Sequence, residues 1–362
     1  MNTIYKKIFV TTFFVLLSLP MTYCLGIKDN TVIAGAEVLT DLPSLQKTSF
    51  YNRNFQPLFE SWWNSHFGFR GFMLKTKNQI YDWSNLSRIH SGSFGVVVEG
   101  VDEYLFTNVY FGSFYKNCSF IPKEIYRLKE LQNLLKKYGI DVFVILAPNK
   151  AVTYPDLIPY RYKYFLGTDC GYYQTLYKTL QSNGIKTFDA QQLISNIRKN
   201  GQYQPFSVTG THWNYYSAGM TFLEAAKKFN WGNIEIEKID KQVTPFFTER
   251  DIADLLNLWY TYYPKQMFYK PIFKKTKASL SGNTTIIGNS FSNEFLHMFI
   301  ESGLTNGEIY HFENQPLNDK DIDKILNSRR IIFVYTDIAL INQEDQFYKK
   351  IDVLLNKLKH QE

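Results

Sequence analysis

The feature that most constrains this chain is a regular alternation of helical and strand-like apolar patterns that begins near Pro122 and continues to the C-terminus. Ile125, Leu128, Leu131 and Leu135 fall on one helical face, Gly139 supplies a stop, and Ile140 to Leu146, apolar except for Asp141, suits a buried strand. The unit then repeats: Tyr173, Leu176 and Leu180 form a stripe that ends at Gly184, and Ile185 to Phe188 gives another short strand. Ala218 to Phe229 reads as a helix, Thr284 to Ile287 as a buried strand, Phe291 to Ile300 as a helix and Ile331 to Tyr335 as a last strand. Ile351, Leu354, Leu355 and Leu358 mark a closing amphipathic helix. Such alternation predicts an α/β fold with a parallel sheet covered by helices on both faces.

Upstream the pattern differs. Phe55, Phe59, Trp62, Trp63, Phe67, Phe72 and Leu74 recur at mixed helical spacing over Phe55 to Ile80, which predicts two short helices around a glycine bend at Gly68 and Gly71. Gly95 to Phe106 carries a β-branched run, a glycine turn and an aromatic run, and predicts a hairpin. The first residues read as an export signal, with Lys6 and Lys7 before an apolar run from Ile8 to Leu19. Extended through Leu25, that run approaches the length of a membrane anchor. Cys24 invites lipidation, but the bulky Tyr23 before it is a poor match. The expected organisation is a signal peptide or signal anchor over residues 1–26, a linker over 27–50 and one domain over 51–362, so the protein is expected to be periplasmic or exported.

In an oxidising compartment Cys118 and Cys170 form a disulfide candidate, and their separation fits no compact zinc pattern. The formal net charge of +7 is spread among acids rather than gathered into a stripe, so a nucleic-acid partner is not expected. Aromatic residues make up 17% of the chain, which suits a polysaccharide-handling surface and ordinary core packing alike. No G-x-S-x-G elbow, phosphate loop, H-E-x-x-H or paired C-x-x-C is present, which removes the main support for common hydrolase, nucleotide and zinc-protease readings.

In open α/β sheets ligands bind beyond the carboxyl ends of the strands, and three segments stand there. Gly288-Asn289-Ser290-Phe291 places a serine at the mouth of a helix, where backbone N–H groups can hold an oxyanion; the same serine also suits a plain helix cap. Gly210-Thr211-His212-Trp213-Asn214 places a histidine in a polar loop, able to take and return a proton at neutral pH or to serve as a structural hydrogen-bonder. Pro148-Asn149-Lys150, with Tyr154-Pro155-Asp156, follows the strongest predicted strand; its polar groups suit substrate or oxyanion binding, or a rigid capped turn. The candidate catalytic pair is therefore Ser290 and His212, with Asn289, Asn149, Lys150, Trp213 and Asn214 as candidate oxyanion or substrate ligands.

These segments, in this order, resemble the alginate O-acetylation type of SGNH hydrolase-like family. That family's hairpin is matched loosely by Asp102-Glu103-Tyr104-Leu105-Phe106, its proline-x-lysine strand end by Pro148-Asn149-Lys150, its aspartate-threonine-histidine-tryptophan motif by Thr211-His212-Trp213, and its glycine-aspartate-serine-phenylalanine motif by Gly288, Ser290 and Phe291. The resemblance covers the chain from about Phe55 onward. It implies a three-layer, flavodoxin-like α/β/α domain with an N-terminal helical and hairpin extension, and an exported O-acetyltransferase acting on a polysaccharide. It also implies a membrane-bound O-acyltransferase as acyl donor, and no metal or diffusible cofactor.

The chain departs from the family at two positions. Gly210 replaces the aspartate that orients the histidine, and Asn289 replaces the aspartate before the serine. An orienting carboxylate supports the imidazole tautomer and the imidazolium formed in the transition state. A Ser-His site therefore needs a substitute, for which Asp189 and Asp337 at strand ends are the candidates, and Gly210→Asp is the expected repair. Without one, the fold suits a non-catalytic polysaccharide-binding component; with water as acceptor, the same chemistry makes a carbohydrate esterase.

Overall fold

A computed structural model describes residues 3–27, 29–35, 40–44, 55–84, 89–92, 95–111, 125–160, 162, 172–246, 248–260, 266–274, 279–341 and 346–360. Cys118 and Cys170 lie outside the described residues. The chain divides into two compact units, Met1–Val97 with Ala253–Tyr262, and Val98–Ile252 with Tyr263–Glu362.

The first unit contains the helices Thr3–Ser18, Phe55–His66 and Arg70–Trp83. The predicted bend falls between the last two, and the residue that takes the left-handed conformation there is Phe69 (φ 54°) rather than a glycine. The apolar side chains of Thr3–Ser18 are exposed. Among the described residues no helix is long and apolar enough to cross a membrane.

Strands β1 (Ile89–Gly92) and β2 (Gly95–Glu99) precede a single 3₁₀ turn, Val101–Glu103, and β3 (Leu105–Thr107), which lies beside β2. The Gly100 N–H bonds the Tyr104 carbonyl at 2.6 Å and closes the expected hairpin.

The second unit is built on five strands: β4 (Asp141–Ala147), β5 (Lys186–Asp189), β8 (Thr284–Gly288), β9 (Ile309–Phe312) and β10 (Arg330–Thr336). They lie in the order β5-β4-β10-β8-β9, and every pairing is parallel. β10 is buried at every residue and β4 at all but Asp141, as a sheet covered on both faces requires. Helices Ile125–Lys137, Tyr172–Ser182 and Gln346–Lys359 supply one apolar layer, in which Leu128, Leu131, Leu176, Leu180, Ile351 and Leu354 are wholly buried. Each such side chain contributes roughly 1.5–3 kcal/mol relative to exposure. The first of these helices stops at Gly139, whose φ of 71° is the left-handed cap expected there.

Several elements were not foreseen, among them the edge strand β9 and the helix Asp319–Leu326. β6 (Ile236–Gln242) and β7 (Phe268–Phe273) form an antiparallel ribbon apart from the main sheet. The helix Ala190–Asn200 follows β5 directly, capped by the Asp189 carboxylate, which accepts from Gln192 N–H at 3.2 Å.

Register brings the carboxyl ends of the three central strands together. Thr336 is level with Ala147 and Val334 with Gly288, so the segments after β4, β8 and β10 leave the sheet side by side.

Candidate active site

Asn149, after β4, is wholly buried. Its carboxamide oxygen caps the helix Lys150–Thr153 through Val152 N–H at 3.0 Å, and its Nδ2 donates to Asp337 at the end of β10 at 3.1 Å. Asn289, after β8, donates from Nδ2 to the Thr336 hydroxyl at 3.0 Å and accepts from Phe291 N–H at 3.3 Å. Both asparagines thus tie neighbouring strand ends together. The capped-turn reading of Asn149 describes its contacts.

Ser290 follows in the turn that opens the helix Ser292–Glu301 and is half-buried. The amides of Asn289, Ser292 and Asn293 bond the carbonyls of Val334, Asn289 and Ser290, at 3.3, 2.8 and 3.2 Å. Phe291 N–H bonds the Asn289 side chain. Among the described residues the Ser290 N–H therefore has no partner, at a helix N-terminus where the backbone dipole favours negative charge.

His212 comes from the loop between the helices Ala190–Asn200 and Tyr215–Lys228. Its imidazole lies against the Phe291 ring, with centroids 5.0 Å apart, so it sits beside the residue that follows Ser290. Trp213 fixes the same junction: its wholly buried indole donates from Nε1 to the Phe291 carbonyl at 3.0 Å. Asn214 caps the next helix, accepting from Ser217 N–H at 2.9 Å and donating to the Gln204 carbonyl at 2.5 Å. The loop, the serine turn and Phe291 are thus one packed assembly.

The carboxylate beside the imidazole is Asp251, with Oδ2 at 2.9 Å from His212 Nδ1. Its Oδ1 accepts from Thr211 N–H at 2.7 Å and from Ile252 N–H at 2.9 Å, so the anion is held by backbone while its free oxygen faces the ring. Asp189 and Asp337, the residues expected to substitute for the family's aspartate, are engaged on Gln192 and Asn149 instead. Burial pulls the His212 pKa down, but the charge and hydrogen bond of Asp251, helped by Glu294 and Glu313, outweigh it and the net shift is upward. Both ring nitrogens are buried, and beyond the 2.9 Å contact with Asp251 neither has a hydrogen-bond partner of good geometry, so the Ser290 hydroxyl does not bond Nε2.

Sequence reasoning did not find Asp251, nor the two buried glutamates nearby. Glu249 accepts from Tyr215 N–H at 3.3 Å and Phe246 N–H at 3.0 Å, and burial raises its carboxyl to about 7. Glu294, in the first turn after Ser290, accepts from the Thr248 hydroxyl, and burial pushes its pKa up against the opposing charge of His212. Acidic residues at the start of a helix were visible in the sequence; their burial was not.

A second serine-histidine contact lies nearby, Ser292 Oγ to His311 Nε2 at 2.7 Å. The single Ser292 proton goes to the Asn289 carbonyl at 2.7 Å, so His311 must be the donor in that contact. Ser292 is wholly buried and unactivated, a clamp between helix and β9. A cavity of about 450 Å³ opens elsewhere, lined by Phe143, Lys186, Thr187, Lys228 and neighbours, none of which belongs to the site.

The model of the SGNH hydrolase-like domain of the acetyltransferase AlgX matches residues 97–271, the span from the hairpin through the histidine loop and Asp251. Over this span, just under half of the chain, the sequence is similar to that SGNH hydrolase-like family. No curated protein sequence matches the chain. Among solved structures, Pseudomonas aeruginosa AlgX shares the fold at a TM-score of 0.50 with 14% identity, over 73% of this chain and 67% of that one. The O-acetyltransferase domain of Pseudomonas putida AlgJ gives 0.49 with 15% identity, over 72% of this chain and 99% of that one. Bacillus cereus PatB1 gives 0.49 with 13% identity, over 69% and 98%.

Proposed function

We propose that this SGNH hydrolase-like protein is an exported O-acetyltransferase that acetylates a bacterial surface polysaccharide through Ser290, His212 and Asp251. The observation that carries the reading is the 2.9 Å contact between Asp251 and His212 Nδ1, because it supplies the carboxylate missing at Gly210. With the imidazole proton on Nδ1, facing Asp251 at 2.9 Å, Nε2 is left as the basic nitrogen.

The chemistry follows from these positions. Ser290 Oγ attacks the acyl carbonyl of a donor while Nε2 takes its proton. The oxyanion forms against the unpartnered Ser290 N–H at the helix N-terminus. Collapse expels the donor's leaving group, which takes the proton from the imidazolium, and an acetyl-serine remains. A sugar hydroxyl then attacks that ester while Nε2 takes its proton; the acyl–Oγ bond breaks, the imidazolium returns the proton to Ser290 Oγ, and the acetylated sugar leaves. The match to the acetyltransferase AlgX domain supports acetyl as the group, and a polysaccharide hydroxyl is the acceptor that the sequence resemblance implies. A membrane-bound O-acyltransferase fits the need for an acyl donor outside the cytosol. The apolar N-terminal segment fits export or anchoring. A non-catalytic role drew its motive from Gly210 and Asn289, and Asp251 answers the first of these.

The test is turnover of a chromogenic acetyl ester with and without an oligosaccharide acceptor. The proposal expects ester turnover that is lost in Ser290→Ala and His212→Ala, with acetyl appearing on the sugar. Free acetate as the sole product in the presence of acceptor makes the protein an esterase. Sugar binding without turnover makes it a binding component.

A further inference from the structure

Lys150 opens a four-residue helix directly after β4, where a lysine is expected to reach solvent, yet its side chain is wholly buried. A lysine is almost never fully buried unless it is paired. Nζ donates to the carbonyls of Val208 and Gly210, both at 2.9 Å, and stands 5.2 Å from the Tyr104 ring centroid and 5.5 Å from that of Phe106. An ammonium has three protons. Two are used by the carbonyls and the third faces aromatic rings, so none remains for a substrate.

The loop that Lys150 holds is the one that carries His212. Its opposite side is held by the segment of Asp251: the hydroxyls of Ser207 and Thr209 both donate to the Glu249 carbonyl, and Thr211 N–H donates to Asp251. Residues 207–211 are therefore gripped from two sides, by hydroxyls and an amide toward Glu249–Asp251 and by carbonyls toward Lys150. A carboxylate two residues before the histidine is placed by the loop's own backbone. A carboxylate from a distant segment meets the ring only if the two segments are locked in register.

We propose that Lys150 is the positioning residue for His212, fixing the 208–210 carbonyls so that the imidazole lands on Asp251. The role rests on the acyl-transfer reading and deepens it. Lys150 acts through the loop and touches neither substrate nor Ser290. Burial pushes the Lys150 pKa well below the ordinary lysine range, and the charge of Asp251 across that loop opposes the shift.

The experiment is steady-state turnover of the acetyl ester by the full chain carrying Lys150→Met, which keeps length and removes both hydrogen bonds. The expected result is kcat lower by about a hundredfold, the cost of misplacing a catalytic group, with KM little changed. A second readout separates positioning from mere stability: the acid limb of the pH profile falls to lower pH in the variant, because an imidazole parted from Asp251 loses what raised its pKa. Wild-type kcat, or a reduced kcat with the limb unmoved, overturns the assignment. If Lys150→Met does not fold, Lys150→Arg carries the same two readouts while keeping the charge. Failure of both variants to fold makes Lys150 a scaffold residue and also overturns it. Wild-type turnover that survives Ser290→Ala, or no turnover at all, defeats the acyl-transfer reading and this assignment with it; wild-type behaviour of Lys150→Met beside an inactive Ser290→Ala defeats the assignment alone.

Discussion

Gly210 lies so close to Glu249 that a Cβ added to it stands 2.8 Å from the Glu249 carbonyl carbon and oxygen, and 2.6 Å from the Ser207 hydroxyl. Glycine is required here for close approach. The segment carrying Asp251 occupies the space that a side chain at 210 would fill. Gly210→Asp, the repair that the family motif suggests, is therefore expected to lower ester turnover rather than raise it. Gly210→Ala alone is expected to cost about 1–3 kcal/mol as overpacking, read as a drop in the urea midpoint. Higher turnover in Gly210→Asp contradicts the substitution of one carboxylate by the other.

Asp251→Asn removes the orienting charge while keeping shape. By the logic of the serine-protease triad, kcat falls about ten-thousandfold. The pH dependence carries a sign. His212 acts as a base only when neutral, and its pKa is raised in the fold, so activity rises with pH through a value above the ordinary histidine range. In Asp251→Asn the residual activity rises at lower pH. A limb that stays in place in the variant's kcat/KM profile counts against the contact.

Ser292→Ala separates the two serines of one turn. The buried Ser292 hydroxyl gives its proton to Asn289, so the variant is expected to retain turnover and lose about 1 kcal/mol of stability with its hydrogen bonds. Loss of turnover equal to that of Ser290→Ala moves the nucleophile to the wrong residue for this account.

Glu249 makes stability depend on pH. Its folded-state carboxyl, raised to about 7, lies above its unfolded value of 4.5, so its stabilising contribution is full below 4.5 and is lost as pH rises through 7. The loss is about 3 kcal/mol in order of magnitude. Glu249→Gln lacks this titration, and the stability gap between wild type and variant should narrow by that amount between pH 4.5 and 8 in urea denaturation. A gap that is constant across this range sets the raised pKa aside.

The central strands were legible because β4 and β10 are nearly continuous apolar runs and β8 carries β-branched residues up to its closing glycine, as strands buried on both faces do. Helices such as Ile125–Lys137 carried their apolar stripe openly. The β6–β7 ribbon was not legible, since Ile236–Gln242 is a half-exposed strand of mixed charge without clean alternation. Ser290 and His212 stood out as candidates because strand ends and polar loops are where chemistry gathers. Asp251 was hidden because its contact with His212 depends on how 38 intervening residues return to the loop, and no periodicity encodes that return. Lys150 was read as reaching toward substrate for a related reason: its partners are backbone carbonyls, which leave no mark in a sequence.

The most direct test of the acyl-transfer claim is mass spectrometry of the protein after brief exposure to an activated acetyl ester, comparing wild type with Ser290→Ala and Ser292→Ala. The account predicts one acetyl group on the peptide that carries Ser290 in wild type and Ser292→Ala, and none there in Ser290→Ala. Acetyl that persists on that peptide in Ser290→Ala, or that disappears in Ser292→Ala alone, contradicts it.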